Sequence, residues 1–355
     1  MDISIIKKVK EYIKEYVKLL YILPTYKNTL KQYKSCSKRK IVLIGTPAHG
    51  NLGDHAIAIS EIKFIQNFKS NQIAFEIPTP LYKIHRRYLM KYCNHNDLII
   101  ISGGGWMGNL WIHNELMIRN IIEDYPMNRI IIFPQTLYYA DDDAGHKVAE
   151  DSKAVFKNHK NLYLSVRDRN SYMAAQKLLE FEKERLLFCP DMVLYGTLAK
   201  RNINKKKNKI ALVCMRQDVE KTTNIFGIES ILKSKGYFPK QTTTVYNHLI
   251  KINDREKLVR KLIDQYSEAD FIITDRLHAM IFSLLAGIPC YVLNNGTGKV
   301  FGVASYLQSA NMPVKMVNNV NDIIQESFTM NGKVYEISDE LREYFYRLGS
   351  LISVE

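Results

Sequence analysis

The chain has 355 residues, 46% of them hydrophobic and 24% charged, and a formal net charge of +14 at pH 7. This length exceeds one core of ordinary size and predicts two domains. Residues 1–40 carry eleven lysines and arginines against three acidic residues, and residues 200–209 carry six against none. These two segments hold all of the excess positive charge. We therefore do not expect a nucleic-acid-binding groove in the rest of the chain.

The N-terminal segment, residues 1–39, is predicted to be a basic helical arm. Its apolar residues recur at spacings of three and four, which is typical of an amphipathic helix; they are Ile6, Val9, Ile13, Val17 and Leu20. We expect this face to pack on the body of the protein and to leave a lysine-rich face in solvent. The alternative is a peripheral contact with an anionic membrane surface. Because lysines interrupt the segment and no apolar run reaches the length of a membrane span, we expect a cytoplasmic protein.

A strand–helix alternation fills residues 40–199 and predicts a first Rossmann-like domain. Apolar strands are expected at 40–45, 73–77, 97–102, 129–134 and 162–166. Helices are expected near 55–68, 81–92, 110–122, 144–157 and 170–181. The strands are apolar throughout, which is typical of a parallel sheet covered by helices on both faces.

The alternation resumes after a basic linker at 200–209 and predicts a second Rossmann-like domain over residues 210–355. Its strands are expected at 209–215, 271–275 and 290–293, with a shorter candidate at 242–246. Its helices are expected near 222–235, 254–267 and 276–286, with a terminal helix from Ser338 to about Leu351. The fold class is therefore α/β, with two doubly wound halves facing each other across a cleft. In such sheets ligands bind at the carboxyl ends of the strands.

The first strand is followed by a glycine-rich loop, GTPAHGNLGDHAIA, at residues 45–58. Gly45, Gly50 and Gly53 let the backbone approach a ligand, and Asp54 is predicted to cap the helix that begins there. The N-terminus of that helix, including Asn51, offers N–H groups to an anion. A simple turn remains the alternative.

Two further strand ends in the first half carry candidate binding groups. The third strand ends in SGGGWMGN, where Gly103, Gly104 and Gly105 favour the close approach of a ligand, with approach of the facing domain as the alternative. The fourth ends in FPQTLYY, which places Gln135 at the same edge beside two tyrosines. Such side chains suit a hydroxyl-rich acceptor, although the tyrosines could instead cover a helix end.

Basic or amide side chains follow the fifth strand of the first half and three strands of the second half. In VRDRNS we expect Asp168 to cap a helix and one of Arg167 and Arg169 to pair with a local acid. In the second half, strand ends present Arg216, then Arg276 and His278, and then Asn294, Asn295 and Lys299. Arginine pairs in bidentate fashion with carboxylates and phosphates, so these loops predict a small ligand with two anionic groups. An inter-domain salt-bridge network, with Asp275 as the partner of Arg276, is the alternative.

From about residue 40 to residue 305 the sequence resembles the polysaccharide pyruvyltransferases. The resemblance rests on HGNLGDHA, GGGW, FPQT, SVRDRNS, CPDMVL at 189–194 and TDRLHAMIFSLLAGIP, in this order. It implies an architecture similar to the GT-B glycosyltransferases. It also implies phosphoenolpyruvate as donor, a sugar with two suitably placed hydroxyls as acceptor, and a cyclic pyruvate ketal and phosphate as products. Carried onto this chain, it implies that Arg276 and His278 hold phosphoenolpyruvate, with Arg216 as a further ligand or Arg167 in its place.

The chemistry implied by the resemblance assigns further roles. His278 would supply or relay the proton that the enol carbon takes up, and Asp54 or His49 would deprotonate the acceptor hydroxyl. The acceptor would be a sugar of a capsule or exopolysaccharide, or of a lipid-linked glycan, and no cofactor or metal is expected. The expected binding set is Asn51, Gly53, Gly103, Gly104, Gly105, Gln135, Arg167, Arg216, Arg276, His278, Asn294 and Lys299.

Other classes of function are open to the same sequence. A GT-B glycosyltransferase that uses a nucleotide-sugar would share the fold and the anion site, and a non-catalytic scaffold of a polysaccharide assembly complex would share the basic arm. A dinucleotide-dependent oxidoreductase is not expected, because no G-x-G-x-x-G with a downstream acid is present. Five dispersed cysteines without a C-x-x-C pair exclude a disulfide framework or a zinc site.

Overall fold

The computed structural model describes residues 3–69, 72–199, 208–218, 220, 227–318, 322–323 and 330–353. They form two parallel sheets, each covered by helices, that face each other across a cleft as predicted. Most of the predicted linker, residues 200–207, lies outside the described residues, as does the part of the predicted helix 222–235 before Gly227. Among the described residues, no helix is long and apolar enough to cross a membrane.

The N-terminal arm forms two helices, α1 (Ile3–Ile22) and α2 (Tyr26–Ser35), which pack on the first half. The predicted packing face of α1 is wrong. Leu19 and Ile22 are buried, whereas the predicted apolar face points to solvent, with Val9, Ile13, Val17 and Leu20 43–58% exposed. The inward face of the helix is mixed, because it also carries Glu15, which lies 4.0 Å from Lys83 Nζ of the first half. An aliphatic face would leave this cation without its carboxylate.

The first half contains a seven-stranded sheet in the order β2-β1-β3-β5-β6-β7, with β4 paired to β5. Its strands are β1 (Lys40–Thr46), β2 (Ile73–Pro78), β3 (Leu98–Ile101), β4 (Gly104–Gly108), β5 (Arg129–Tyr138), β6 (Leu162–Val166) and β7 (Leu186–Phe188). Its helices are α3 (Leu52–Phe68), α4 (Thr79–Lys91), α5 (Ile112–Asp124), α6 (Asp143–Asn158) and α7 (Arg169–Lys177). Ile41 and Leu43 belong to one apolar cluster and Val42 and Ile44 to another, so both faces of the sheet are buried.

The second half contains a five-stranded sheet in the order β12-β11-β10-β8-β9. Its strands are β8 (Ile210–Cys214), β9 (Phe238–Gln241), β10 (Phe271–Thr274), β11 (Cys290–Val292) and β12 (Val314–Met316). Its helices are α8 (Ile228–Ser234), α9 (Arg255–Tyr266), α10 (Leu277–Leu285), α11 (Lys299–Ser309) and α12 (Asp339–Ser353).

The order of the strands determines where each sheet opens a crevice for a ligand. In each sheet the chain direction across the sheet reverses beside the first strand, between β1 and β3 in the first half and between β8 and β10 in the second. The loops that leave such neighbouring strands diverge and open a crevice. The glycine-rich loop after β1 borders the first crevice, and Arg216 and Arg276 border the second.

Some short elements differ from the prediction. Residues 242–246 do not form a strand, although Val245 makes an isolated antiparallel bridge to Asn51 of the other half. The strands β4, β7, β9 and β12 and the helix α11 were not predicted, whereas α2 lies within the predicted helical arm at residues 1–39. These strands have only three to five residues, and β4 is glycine-rich, so none of them contains the apolar run that marks a buried strand.

Direct contacts hold the two halves together. The terminal helix α12 packs on α3 of the first half, where Gly349 lies against the ring of Phe68. Arg255 of α9 forms a bidentate pair with Glu76 of β2, at 2.5 and 2.8 Å. The Leu52 amide donates to the Thr244 carbonyl at 2.8 Å. These contacts fix the width of the cleft between the two crevices.

Candidate functional site

A cavity of about 350 Å³ lies between the halves, where both crevices meet. Its walls combine loops of the first half with the N-termini of α10 and α11. Its charged and titratable lining residues are His49, Asp54, Arg167, Arg216, Asp218, Glu220, Arg276, His278 and Lys299. Seven of these nine were predicted as site residues, and Asp218 and Glu220 were not.

The first-half wall begins at the N-terminus of α3. Asn51 is the N-cap, because its side-chain oxygen accepts from the Gly53 amide at 3.1 Å, so the prediction that Asp54 caps this helix is wrong. Asp54 lies in the first turn, where its carboxylate accepts from Asn51 Nδ2 at 2.8 Å and lies 3.5 Å from His49 Nε2. Its side chain is 25% exposed in the cavity, so it is available to a bound hydroxyl.

Two glycines of this loop contact the second half directly. A Cβ at Gly53 would overlap the imidazole of His278, and a Cβ at Gly50 would overlap the Tyr246 carbonyl. The Tyr246 amide donates to the Gly50 carbonyl at 2.8 Å. These glycines therefore permit the close approach of the facing half, and Gly53 sets the position of the His278 ring.

Replacing Gly53 by alanine is expected to destabilise the protein by about 1–3 kcal/mol, since overpacking forces neighbours to move. The cost should fall below about 1 kcal/mol when His278 is already glycine, because both the ring and the Cβ that the new methyl group would overlap are then gone. Urea unfolding of the two single variants and the double variant measures this coupling. Additive effects of the two substitutions would contradict the assigned contact.

Gly103 and Gly104, the first two of the three consecutive glycines, contact other residues of the first half and do not line this cavity. Gly103 donates its amide to Glu61 Oε1 at 2.6 Å, and Ser102 Oγ donates to Glu61 Oε2 at 2.7 Å. A Cβ at Gly103 would lie 2.7 Å from the Pro134 carbonyl oxygen, and one at Gly104 would overlap the Trp106 ring. Both glycines therefore allow internal packing of the loop.

Gly105 is the member of the three that faces the cavity. A Cβ there would lie 2.7 Å from Arg167 Nη2 and 3.4 Å from Lys299 Nζ. The missing side chain thus leaves room for two cations from opposite halves to approach the same point.

Glu61 holds this loop in place through the hydrogen bonds from Gly103 and Ser102. This role was not predicted from the sequence. Glu61 is fully buried in α3, and burial raises its pKa to about 8 despite these hydrogen bonds. Because the folded pKa lies above the unfolded one, the stabilisation linked to this group is complete below about pH 4.5 and is lost as pH rises through about 8.

We expect Glu61→Gln to remove this pH dependence. The variant should gain stability relative to the wild type as the pH is raised from 5 to 8, because glutamine carries no charge to desolvate. Thermal unfolding across this range measures the difference, with the exposed Glu184→Gln as the control. A constant difference between wild type and Glu61→Gln would refute the assigned titration.

A buried carboxylate, Asp191, links cations from the two halves. Arg167 Nη1 donates to Asp191 Oδ2 at 2.5 Å, and His278 Nε2 lies 3.5 Å from the same oxygen. Arg167 Nε also donates to Thr136 Oγ1 at 2.9 Å. Burial acts to raise the pKa of Asp191, but the charges of Arg167 and His278 outweigh it and hold the pKa below its usual range. Asp191 thus orients both side chains at the cavity wall.

A second carboxylate, Glu220, organises the opposite wall. It accepts from Arg216 Nη2 at 2.7 Å, Lys299 Nζ at 2.8 Å and Asn295 Nδ2 at 2.6 Å. Arg216 also forms a two-armed pair with Asp218, at 2.8 and 3.0 Å. Burial lowers the pKa of Lys299 against the opposing effect of Glu220. Arg216 and Lys299 are therefore already paired without a ligand.

Arg276 differs from the other cations of the cavity. It is 9% exposed, its Nε donates to the Met215 carbonyl at 3.3 Å, and its one ion pair among the described residues is to Asp218, at 3.8 Å. Asp275 does not pair with the Arg276 side chain; its Oδ1 accepts the Arg216 amide at 2.8 Å. Burial raises the pKa of Asp275. Arg276 is thus a buried guanidinium without a close carboxylate among the described residues.

Five predicted binding residues are not among those that line this cavity: Gly53, Gly103 and Gly104, whose packing is described above, and Gln135 and Asn294. Gln135 is fully buried, and its Nε2 donates to the Ser102 carbonyl at 2.8 Å. Asn294 is not among the residues that line the cavity, whereas its neighbour Asn295 contacts Glu220. Tyr139 is buried and donates to Glu115 Oε1 at 3.1 Å, which agrees with the structural alternative for the tyrosines.

A second cavity of about 230 Å³ adjoins the first on the side of the first half. The two share His49, Asp54, Trp106 and Asn114 as lining residues. Glu15 and Lys18 of α1 line its far side, so the N-terminal arm is part of this wall. Neither residue was predicted, because amphipathic periodicity alone does not show which face of the helix meets the body.

Asp191 is the most informative residue that sequence reasoning missed. It lies within CPDMVL, a motif that was noted without a role for its acid. Among the described residues, no three His, Cys, Asp or Glu side chains are placed to hold a metal ion. The site that the described residues form is therefore a set of cations held by buried acids.

The family model of the polysaccharide pyruvyl transferases matches residues 51–297. General stress protein 30 of Bacillus subtilis is 29% identical over 279 residues, which are 77% of this chain and 80% of that protein. Pyruvyl transferase 1 of Schizosaccharomyces pombe is 26% identical over 278 residues, 74% of this chain and 68% of that protein. A functionally uncharacterised protein from Klebsiella pneumoniae has the same fold, with a TM-score of 0.55 and 19% identity over 84% of this chain and 98% of that one. Because the family model covers more than half of the sequence, the chain belongs to the polysaccharide pyruvyl transferase family.

Proposed function

We propose that the protein transfers a pyruvyl group from phosphoenolpyruvate to two hydroxyls of one sugar in a polysaccharide or a lipid-linked glycan. The products are a cyclic pyruvate ketal and phosphate. The observation that carries the donor assignment is Arg276, a buried guanidinium beside His278 whose one ion pair among the described residues is 3.8 Å long. A bound dianion would supply the missing charge.

The other cations support a donor with two anionic groups. Phosphoenolpyruvate carries a carboxylate and a phosphate, and the cavity brings Arg216, Lys299 and Arg167 to the same space as Arg276. Arg167 Nη2 points toward Gly105, and it has no hydrogen-bond partner among the described residues. Two guanidinium forks with open donors, Arg167 and Arg276, can therefore hold the two ends of one small molecule.

The proposed reaction begins with proton transfer to carbon. His278 donates a proton to the methylene carbon of phosphoenolpyruvate, and the central carbon becomes electrophilic. The first sugar hydroxyl adds to it and loses its proton to Asp54 or His49. The carbon–oxygen bond to phosphate then breaks with its electron pair, and the leaving phosphate takes up the proton held by Asp54 or His49. The second hydroxyl adds to close the ketal and loses its proton to the His278 imidazole, which restores its starting form. Asp191 Oδ2 lies 3.5 Å from His278 Nε2 and orients the imidazole at the cavity wall.

The adjoining cavity is the proposed acceptor site. Trp106 supplies an aromatic surface against which a sugar ring can lie, and Asn114 supplies an amide for its hydroxyls. Asp54 lines both cavities, so it can reach a hydroxyl that points from the acceptor toward the donor.

Incubation in D2O with phosphoenolpyruvate and a panel of methyl glycosides tests the proposal. Each glycoside carries two free hydroxyls close enough to close one ring. We expect phosphate release that depends on one of the glycosides, and a ketal whose methyl group contains one deuterium from solvent. Asp54→Asn should slow ketal formation. Consumption of a nucleotide-sugar instead would identify a glycosyltransferase, and turnover of neither donor would favour a scaffold.

A further inference from the structure

The outer face of α1 carries a continuous apolar stripe. Val9, Ile13, Val17 and Leu20 are 51%, 55%, 58% and 43% exposed, and Tyr12 and Tyr21 beside them are 54% and 45% exposed. These spacings of four, four and three place the side chains in one row along the helix. Contiguous exposed apolar surface of this kind marks an interaction site in a soluble protein.

The stripe is not a loosely packed core face. The opposite side of α1 is anchored on the body by Leu19 and Ile22, which are 0% and 1% exposed. Glu15 is also turned inward, where it accepts from Lys18 Nζ at 2.7 Å and lies 4.0 Å from Lys83 Nζ. The helix therefore holds its stripe outward with one acid withdrawn from the surface.

Basic residues flank the stripe. Lys10 and Lys14 are exposed, one position after Val9 and Ile13, so they lie along the edge of the apolar row. The first forty residues contain eleven lysines and arginines against three acidic residues. An apolar row bordered by lysines on a helix parallel to the protein surface matches the requirements for binding at an anionic lipid interface.

We propose that α1 docks on an anionic lipid bilayer, with its axis parallel to the surface and its stripe in the interface. Charge decides between a bilayer and a second copy of this chain. A twofold dimer would place the same basic arm opposite itself, and the lysines would repel, whereas anionic headgroups would pair with them.

Docking would bring the second cavity close to the lipid. Glu15 and Lys18 line that cavity from the opposite face of the same helix, so the bilayer would lie about one helix diameter away, ~10 Å. If the proposed function holds, this position would present the acceptor site to a sugar carried on a lipid. The docking itself does not depend on the reaction.

Vesicle co-sedimentation of the full-length chain tests the proposal. The vesicles are phosphatidylcholine alone and phosphatidylcholine mixed with phosphatidylglycerol. The test variant combines Ile13→Ser, Val17→Ser and Leu20→Ser, and the control combines Met127→Ser and Phe238→Ser, which remove apolar groups that are 70% and 66% exposed elsewhere. Thermal melting confirms that each variant is folded.

We expect the wild type and the control to bind anionic vesicles with equal affinity. The triple variant should bind them at least about tenfold more weakly. Lys10→Ala with Lys14→Ala should weaken anionic binding roughly 30-fold and leave the small neutral binding unchanged. A wild type that does not sediment with anionic vesicles would overturn the proposal, as would a triple variant that binds equally. A wild-type dimer in light scattering that the triple variant abolishes, without vesicle binding, would assign the stripe to self-association.

Discussion

Arg276→Ala is expected to lower kcat/KM for phosphoenolpyruvate by between roughly 30-fold and several thousand-fold. The range corresponds to the cost of about 2–5 kcal/mol for truncating one partner of a buried charge pair. The substitution should leave the stability of the ligand-free protein nearly unchanged, because this guanidinium is buried and its one ion pair among the described residues is 3.8 Å long. Steady-state kinetics and urea unfolding measure the two effects separately.

Two further variants make this result specific. Arg276→Lys keeps the charge but loses the two-armed geometry, so its activity should fall between those of the wild type and the alanine variant. Arg260→Ala removes an exposed arginine, 48% accessible and paired with Glu256 on the surface, and should leave kcat/KM unchanged. An Arg276→Ala enzyme with wild-type kinetics would remove this residue from the donor site.

Asp191→Asn is expected to damage both stability and activity. The substitution removes the negative charge that Arg167 and His278 share inside the protein and leaves the Arg167 guanidinium without its carboxylate. Loss of one partner from a buried pair costs about 3–5 kcal/mol. Activity should fall as well, because the Arg167 guanidinium and the His278 imidazole lose the carboxylate that orients them at the cavity wall.

The pH dependence of the Asp191 effect has a defined sign. The folded pKa of Asp191 lies below its unfolded value, so its stabilisation is complete above the unfolded pKa and is lost as pH falls through the folded pKa. The Asn variant should therefore show its full loss of stability at neutral pH, with the gap closing only in strong acid. Asp141→Asn, at an exposed carboxylate, is the control for urea unfolding. An Asp191→Asn protein as stable as the wild type at neutral pH would contradict the assigned pair.

The long buried strands could be predicted because their residues are apolar without interruption. The run from Leu98 to Ile101 is fully buried, and such runs occur where helices cover both faces of a sheet. Since the carboxyl ends of parallel strands converge, Arg216, Arg276 and His278 could be assigned to one site before their distances were known. The cavity contains all three.

Other features depend on tertiary contacts that a single sequence does not record. The buried face of α1 is chosen by the surface on which it packs, so periodicity predicted the helix but the wrong orientation. Gln135 follows the strand core, yet β5 continues to Tyr138 and buries it. Asp191 and Glu220 acquire their roles from cations far away in the chain, and no local pattern distinguishes them from surface acids.

A thermal-shift titration of the wild type and Arg276→Ala with phosphoenolpyruvate, UDP and inorganic phosphate tests whether Arg276 holds phosphoenolpyruvate as the donor. A ligand at a hundred times its dissociation constant should stabilise the folded state by about 2.7 kcal/mol. We expect that phosphoenolpyruvate stabilises the wild type more than phosphate does, that UDP does not stabilise it, and that Arg276→Ala loses the response. Stabilisation by UDP and not by phosphoenolpyruvate would refute the proposed donor.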